Sequence, residues 1–216
     1  MKNFTQITAY MKNKRLIAVF FVGILIASFF SIYNSMANGN VKVDQAVEKN
    51  LKESLYLTMD TGCTIKIGMF ADAAPNHIAR IKELVKSGYY DGVEFHRVID
   101  GFMAQAGGKN GNPNHSSGIK IKQEFNNISH TRGIVSMARA SDPNSADAQF
   151  FIVTHDSRFL DQQYTVWGFV AEGMDCVDKI KKGDQSNNGM VDKPSKILSA
   201  KIAYDEALDQ AKNSQK

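Results

Sequence analysis

The chain lacks the marks of a metalloenzyme, a nucleotide enzyme or a disulfide scaffold. Its 216 residues hold two cysteines, Cys63 and Cys176, far apart and outside any C-x-x-C pair. That excludes a disulfide framework and a cysteine-built zinc site. Two readings of the pair stay open: small, partly buried apolar side chains, or a single bridge in an oxidising compartment. The histidines, His77, His96, His115, His130 and His155, show neither H-x-x-x-H spacing nor an acidic partner pattern. Scattered structural or surface roles are therefore expected of them rather than zinc chemistry. Gly107-Gly108-Lys109-Asn110-Gly111 lacks the G-x-x-x-x-G-K-[ST] form and opens no helix, so it reads as a flexible loop. Ser136, Ser141 and Ser145 stand in no G-x-S-x-G setting, which argues against a serine hydrolase. The formal net charge is +4, yet no dense Lys/Arg run occurs beyond the N-terminal arm. A nucleic-acid partner is not indicated.

What is present favours one domain with appendages. Hydrophobic residues make up 43% and charged residues 22%, ordinary for a globular chain, and 13 Phe, 7 Tyr and 9 Met can fill a core. From Leu16 to Tyr33 the chain is apolar and uncharged, with Lys12, Lys14 and Arg15 just before it. Ser35-Met36-Ala37 then offers a small-x-small site for cleavage after Ala37. This is the layout of an export segment, either a cleaved signal peptide or an uncleaved inner-membrane anchor over residues 16–33. The expected organisation is signal or anchor over 1–37, linker over 38–53, a domain over 54–205 and a polar tail over 206–216. The N-terminal segment would engage the membrane or the secretion machinery, and the domain would be exported to the periplasm or cell envelope.

Within the domain, Leu55–Met59 and Thr64–Phe70 flank Asp60-Thr61-Gly62 as a hairpin. Pro75 opens a helix, with Ile78, Ile81, Leu84 and Val85 at helical spacing and Gly88 at its stop. Val93–Ile99 and Phe102–Ala106 are strands joined by Asp100-Gly101. A long polar segment follows, Gly107–Asn127, of a length that is functional or ordered by its own contacts. Gly133–Ala138, Gln149–Thr154 and Thr165–Val170 are strands, Met174–Lys182 a short helix, and Ile197–Tyr204 a last strand. Many short strands with two helices point to a sandwich or barrel, and the short connections imply antiparallel pairs. No heptads and no large apolar stripe suggest more than a monomer.

The stretch Phe95–Gly108 carries the chemistry. Strand alternation puts Phe95, Arg97 and Ile99 on one face, and the Asp100-Gly101 turn returns Phe102, Met103 and Gln105 alongside. One cation, one amide and two large apolar side chains then converge. These residues alone are equally compatible with a packed core and a solvated arginine.

The run FHRVIDGFMAQAGG closely resembles the cyclophilin signature. Gly133–Ala140, Asp142-Pro143-Asn144-Ser145 with Gln149-Phe150-Phe151-Ile152, Phe159-Leu160-Asp161 and Val166-Trp167-Gly168 resemble that family's later blocks in order. The resemblance covers Leu55 to Tyr204. It implies a closed eight-stranded antiparallel β-barrel capped by two α-helices. It further implies a peptidyl-prolyl cis–trans isomerase, assisting protein folding in the cell envelope, that needs no cofactor and no metal. Arg97 would be catalytic. Phe102, Met103, Phe151 and Leu160 would line the proline pocket, with Ala138, Phe159 and Tyr164 around it. Gln105, Gln149 and the main chain at Arg139 would orient the peptide. Partners would be flexible or unfolded polypeptides containing proline. Arg139, Phe159 and Tyr164 replace the Asn, Trp and His of the best-known eukaryotic members, as in bacterial ones. The missing Trp implies weaker cyclosporin binding. Trp167 falls in the following strand and is expected to be packed there.

These residue types suit the reaction. Resonance sets a barrier of about 18–20 kcal/mol to amide rotation, and uncatalysed X–Pro exchange takes tens of seconds or more. In the twisted state the imide nitrogen regains its lone pair, and a guanidinium beside it donates a hydrogen bond stronger than in the planar ground state. A non-catalytic proline-recognition module would need the apolar slot but not Arg97.

Overall fold

The structure, a computed structural model, describes residues 53–112, 114, 115 and 117–204. The expected export segment, most of the linker and the polar tail lie outside the described residues.

The first hairpin forms where the alternating runs predict it: β1 (Glu53–Met59) pairs antiparallel with β2 (Thr64–Met69). Helix α1 (Pro75–Lys86) starts on its proline and buries His77, Ile78, Arg80, Ile81, Leu84 and Val85, the stripe set by 3.6-residue periodicity. Then come β3 (Arg97–Ile99), β4 (Met103–Ala106), β5 (Ile134–Met137), β6 (Phe150–Val153) and β7 (Val166–Glu172). Helix α2 (Met174–Asp178) and β8 (Ile197–Tyr204) complete the order.

The eight strands among the described residues join one antiparallel sheet in the order β3-β4-β6-β5-β7-β2-β1-β8. The sheet curls, but its ladder does not close into the expected barrel, because β3 and β8 remain edges. The segments just before those two strands meet instead, through the bridge Glu94↔Lys196 and bonds such as Phe95 N to Ser195 O at 2.9 Å. This irregular seam also explains why β3 has only three residues where Val93–Ile99 reads as a strand. Val93–His96 meets Ser195–Ile197 through single bonds and one bridge rather than through a regular ladder.

Alternation along the strands separates two cores. One face carries Leu55, Ile67, Phe95, Phe150, Ile152 and Trp167, packed with the buried sides of α1 and α2. Trp167 is fully buried edge-on to Phe150, as its strand position predicts. Each large side chain so buried contributes roughly 1.5–3 kcal/mol. The other face carries a smaller cluster of Met103, Ile134, Phe151, Val153, Leu160 and Val166.

Of the two readings of the cysteines, the structure takes the bridge: Cys63 in the β1–β2 turn is disulfide-bonded to Cys176 in α2. The long polar segment is ordered by buried charge. Glu124 accepts from the Asn76 and His77 backbone N–H groups and from both side chains. Asp147 pairs with Arg80 at 3.2 Å and accepts from the Ser117 backbone and hydroxyl.

Candidate active site

The second face of the sheet is built by register. Arg97 on β3 lies opposite Gln105 on β4, Gln105 opposite Phe151 on β6, and Phe151 opposite Ser136 on β5. Directly paired residues project to the same side, so one row across four strands reads cation, amide, aromatic, hydroxyl. The neighbouring row is Ile99, Met103 and Val153. Phe95 departs from the alternation expected of it. It packs edge-on to Phe150 in the main core, 6.3 Å between centroids, because the regular strand begins only at Arg97.

The polar half of the site is a chain of directed hydrogen bonds. Arg97 Nη1 donates to Gln105 Oε1 at 3.2 Å, Gln105 Nε2 donates to Gln149 Oε1 at 3.0 Å, and Gln149 Nε2 donates to the His115 carbonyl at 3.1 Å. On its other side Arg97 is held by Asn188, through Nε to the carbonyl and Nη2 to Oδ1. Partial burial lowers the Arg97 pKa from its ordinary value, with the neighbouring Tyr164 acting in the opposite direction. The guanidinium still carries its charge at neutral pH, and it is less screened by water than a surface arginine.

Gln149 reaches Gln105 because β4 and β6 approach closely where β4 ends. Gly107 has φ +103, and a Cβ there would lie 2.4 Å from the Ala148 carbonyl oxygen and 2.5 Å from Gln149 Cα. Any side chain would push the strands apart. Tyr89 and Tyr90 fix this crossing by donating to the Gly107 and Ala148 carbonyls at 3.0 and 2.8 Å.

The apolar half is the second cluster. Met103, Phe151 and Leu160 are nearly buried, with Phe102, Ala138 and Tyr164 packed against them. Phe159 is 66% exposed and leans on Phe102, centroids 5.4 Å apart. Tyr164 meets Phe151 edge-on at 5.6 Å, and the Arg139 guanidinium covers the Tyr164 ring at 4.7 Å. Arg139 also donates to the carbonyls of Gln163, Ala140 and Ser141. Beside the glutamine pair opens a cavity of about 400 Å³, with Asn114, His115, Lys120, Ala138 and Arg139 in its lining. All eleven residues picked out by the sequence thus lie on this one face or its rim.

Three residues under Phe151 were given no place in the site by the sequence. His130 stacks on Phe151 at 6.1 Å; its Nδ1 lies 2.9 Å from Asp161 Oδ1 and its Nε2 lies 3.1 Å from Ser136 Oγ. The set has the connectivity of a hydrolytic triad but not its chemistry. Ser136 is fully buried and its hydroxyl donates to the Thr165 carbonyl at 2.8 Å. A nucleophile needs access and a free lone pair aimed at substrate. Burial outweighs the Asp161 hydrogen bond and lowers the His130 pKa, and the ring supports Phe151 from beneath. Asn188 was equally invisible. Its Asn-Gly pair signals a turn, but nothing local says that the turn lies against Arg97.

Comparison with known proteins finds one family throughout. The family model described as cyclophilin type peptidyl-prolyl cis-trans isomerase/CLD matches residues 55–202. A probable peptidyl-prolyl cis-trans isomerase of Brucella abortus is 49% identical over 146 residues, covering 62% of this chain and 74% of the relative. Peptidyl-prolyl cis-trans isomerase B of Escherichia coli is 40% identical over 136 residues, covering 58% and 83%. Among solved structures, a cyclophilin-type isomerase of Cryptosporidium parvum, crystallised in the presence of the dipeptide Ala-Pro, superposes with a TM-score of 0.63 at 25% identity. That match covers 70% of this chain and 99% of the other. A cyclophilin of Hirschia baltica gives 0.58 at 26% identity, covering 73% and 79%.

Proposed function

The chain belongs to the family of cyclophilin-type peptidyl-prolyl cis–trans isomerases, and from that premise we propose how its own residues catalyse the rotation, on which substrates, and where. The substrates are flexible or unfolded segments containing X–Pro. The proline ring enters the slot of Phe102, Met103, Phe151 and Leu160, with Phe159 and Tyr164 at its rim. Gln105, Gln149 and the main chain at Ala138 and Arg139 hold the peptide backbone. Arg97 then donates to the imide nitrogen as it becomes pyramidal, favouring the twisted state over both planar ones. Each tenfold of rate corresponds to about 1.4 kcal/mol off the barrier, and no covalent bond breaks. The observation that carries this reading is the register row Arg97–Gln105–Phe151, which sets a partly desolvated cation one amide away from an apolar slot.

We also propose that the domain acts as a monomer in the cell envelope, assisting folding there. Two observations support export. An uncharged segment from Leu16 to Tyr33 follows Lys12, Lys14 and Arg15. Cys63 and Cys176 are within bonding geometry, and such bridges persist in oxidising compartments.

The activity is tested by NMR exchange on an X–Pro peptide with wild type and Arg97→Ala. Wild type accelerates exchange, and the variant binds peptide but loses roughly 10²–10³ in rate. Background exchange with wild type overturns the reading. Export is tested by N-terminal sequencing of protein recovered from cell fractions. A start at Asn38 gives a cleaved signal, and an intact Met1 in the membrane fraction gives an anchor. Protein found whole in the cytoplasm overturns export.

A further inference from the structure

Arg97 presents a guanidinium with five N–H donors. Among the described residues three are engaged: Nη1 on Gln105, Nε on the Asn188 carbonyl at 3.0 Å, and Nη2 on Asn188 Oδ1 at 2.9 Å. One residue therefore takes two adjacent donors of the fork with two oxygens of its own. The five-minus-three balance leaves one N–H on each terminal nitrogen for a ligand.

Asn188 is built for this hold. It is exposed and sits at φ 52, the left-handed region that asparagine tolerates better than most residues. The turn carrying it is fastened to the edge strand β3. Val98 N donates to the Gly189 carbonyl at 2.8 Å, Gly183 N donates to the Val98 carbonyl at 2.9 Å, and Arg97 bridges Met190. Gly189 lets the turn lie flat on the strand, since a Cβ there would meet Ile99 Cγ1 at 2.4 Å. Asp184 closes the turn by accepting from the Ser186 backbone and hydroxyl and, with its carbonyl, from Gly189 N. An exposed asparagine otherwise has no reason to spend both oxygens on one cation.

We propose that Asn188 is a positioning residue for isomerisation: it fixes the plane and rotation of the Arg97 guanidinium so that the uncommitted N–H groups stay aimed into the slot. This role rests on Arg97 being the catalytic donor. Without the Oδ1 contact the guanidinium swings about its remaining bonds and meets the twisted imide in fewer of its orientations. The loss falls on turnover rather than on peptide binding, because the apolar slot does not change.

The test uses the full chain, with kcat and KM taken from NMR exchange on an X–Pro peptide across peptide concentrations. Asn188→Gly keeps the left-handed backbone and the carbonyl acceptor and removes Oδ1; Asn188→Gln keeps a neutral amide oxygen, and Gln162 at φ 58 shows that glutamine is accepted in the left-handed region of this fold. Asn188→Gly is expected to lower kcat roughly tenfold with KM nearly constant and an unchanged melting temperature, and Asn188→Gln to restore part of kcat. An Asn188→Gly chain that turns over at the wild-type rate overturns the role, and so does an Asn188→Gln chain as slow as the glycine variant. Wild type that leaves exchange at background removes the isomerase reading itself, and this role with it.

Discussion

Gln105 steadies Arg97 from the neighbouring strand as an amide, not as an acid: the two are a register pair of β3 and β4, joined at 3.2 Å. A carboxylate at that point would grip the guanidinium harder, but it would also neutralise the charge that the twisted imide needs. The amide holds the cation without spending its field.

Gln105→Glu is therefore expected to leave the melting temperature unchanged or raised while isomerisation slows about tenfold, or about 1.4 kcal/mol in barrier. Exchange spectroscopy on an X–Pro peptide and a thermal melt check the two halves. A variant as fast as wild type would show that the site tolerates a neutralised Arg97.

Phe151 serves both the slot and the fold. It is 5% exposed and lies between the faces of His130 and the edge of Tyr164. Truncation to alanine is expected to cost about 3–5 kcal/mol of stability, measured by urea unfolding. Phe151→Leu keeps most of the volume, so it isolates binding: KM should rise several-fold while the fold survives.

The bridge between Cys63 and Cys176 closes a loop spanning a sequence separation of 113. Reduction, or Cys63→Ala with Cys176→Ala, is expected to remove about 2–4 kcal/mol of stability. Fluorescence of Trp167, the only tryptophan and fully buried, reports the unfolding. The bridge ties the β1–β2 turn to α2, away from β3, β4 and β6 in sheet order. Turnover at low temperature should not change.

Acid should weaken the fold from near neutrality. His77, His96 and His130 are almost fully buried, and burial lowers all three below the ordinary 6.5, against the hydrogen bonds that His77 donates to Glu124 and His130 donates to Asp161. As pH falls below 6.5 the unfolded chain takes up protons that the folded chain refuses, so stability complete above 6.5 declines below it. Glu124 behaves as a depressed carboxylate: burial pulls it up, but hydrogen bonds from His77 and Asn76 hold it down. Its contribution is present above the ordinary 4.5 and is lost as pH falls through its folded value. Urea midpoints at pH 7.5, 5.5 and 4 should drop in two stages. A flat midpoint from 7.5 to 5.5 would mean that the three rings are not held neutral.

Local pattern determined a great deal here. The first hairpin, α1, the Arg97–Gln105 hairpin and the last strand were readable because each is set by short-range physics: alternation, a proline start, a tight turn. The apolar slot was readable only through whole blocks of motif, since Phe102 and Met103 alone look like core filling. Tertiary structure decided the rest. Whether Cys63 meets Cys176, that the sheet keeps β3 and β8 as edges, that His130 props Phe151 from beneath and that Asn188 clasps Arg97 are all contacts between segments distant in the chain. Periodicity fixes which way a side chain faces along its own element. What it faces is set by the packing of every other element, and that information is carried by the sequence as a whole rather than by any stretch of it.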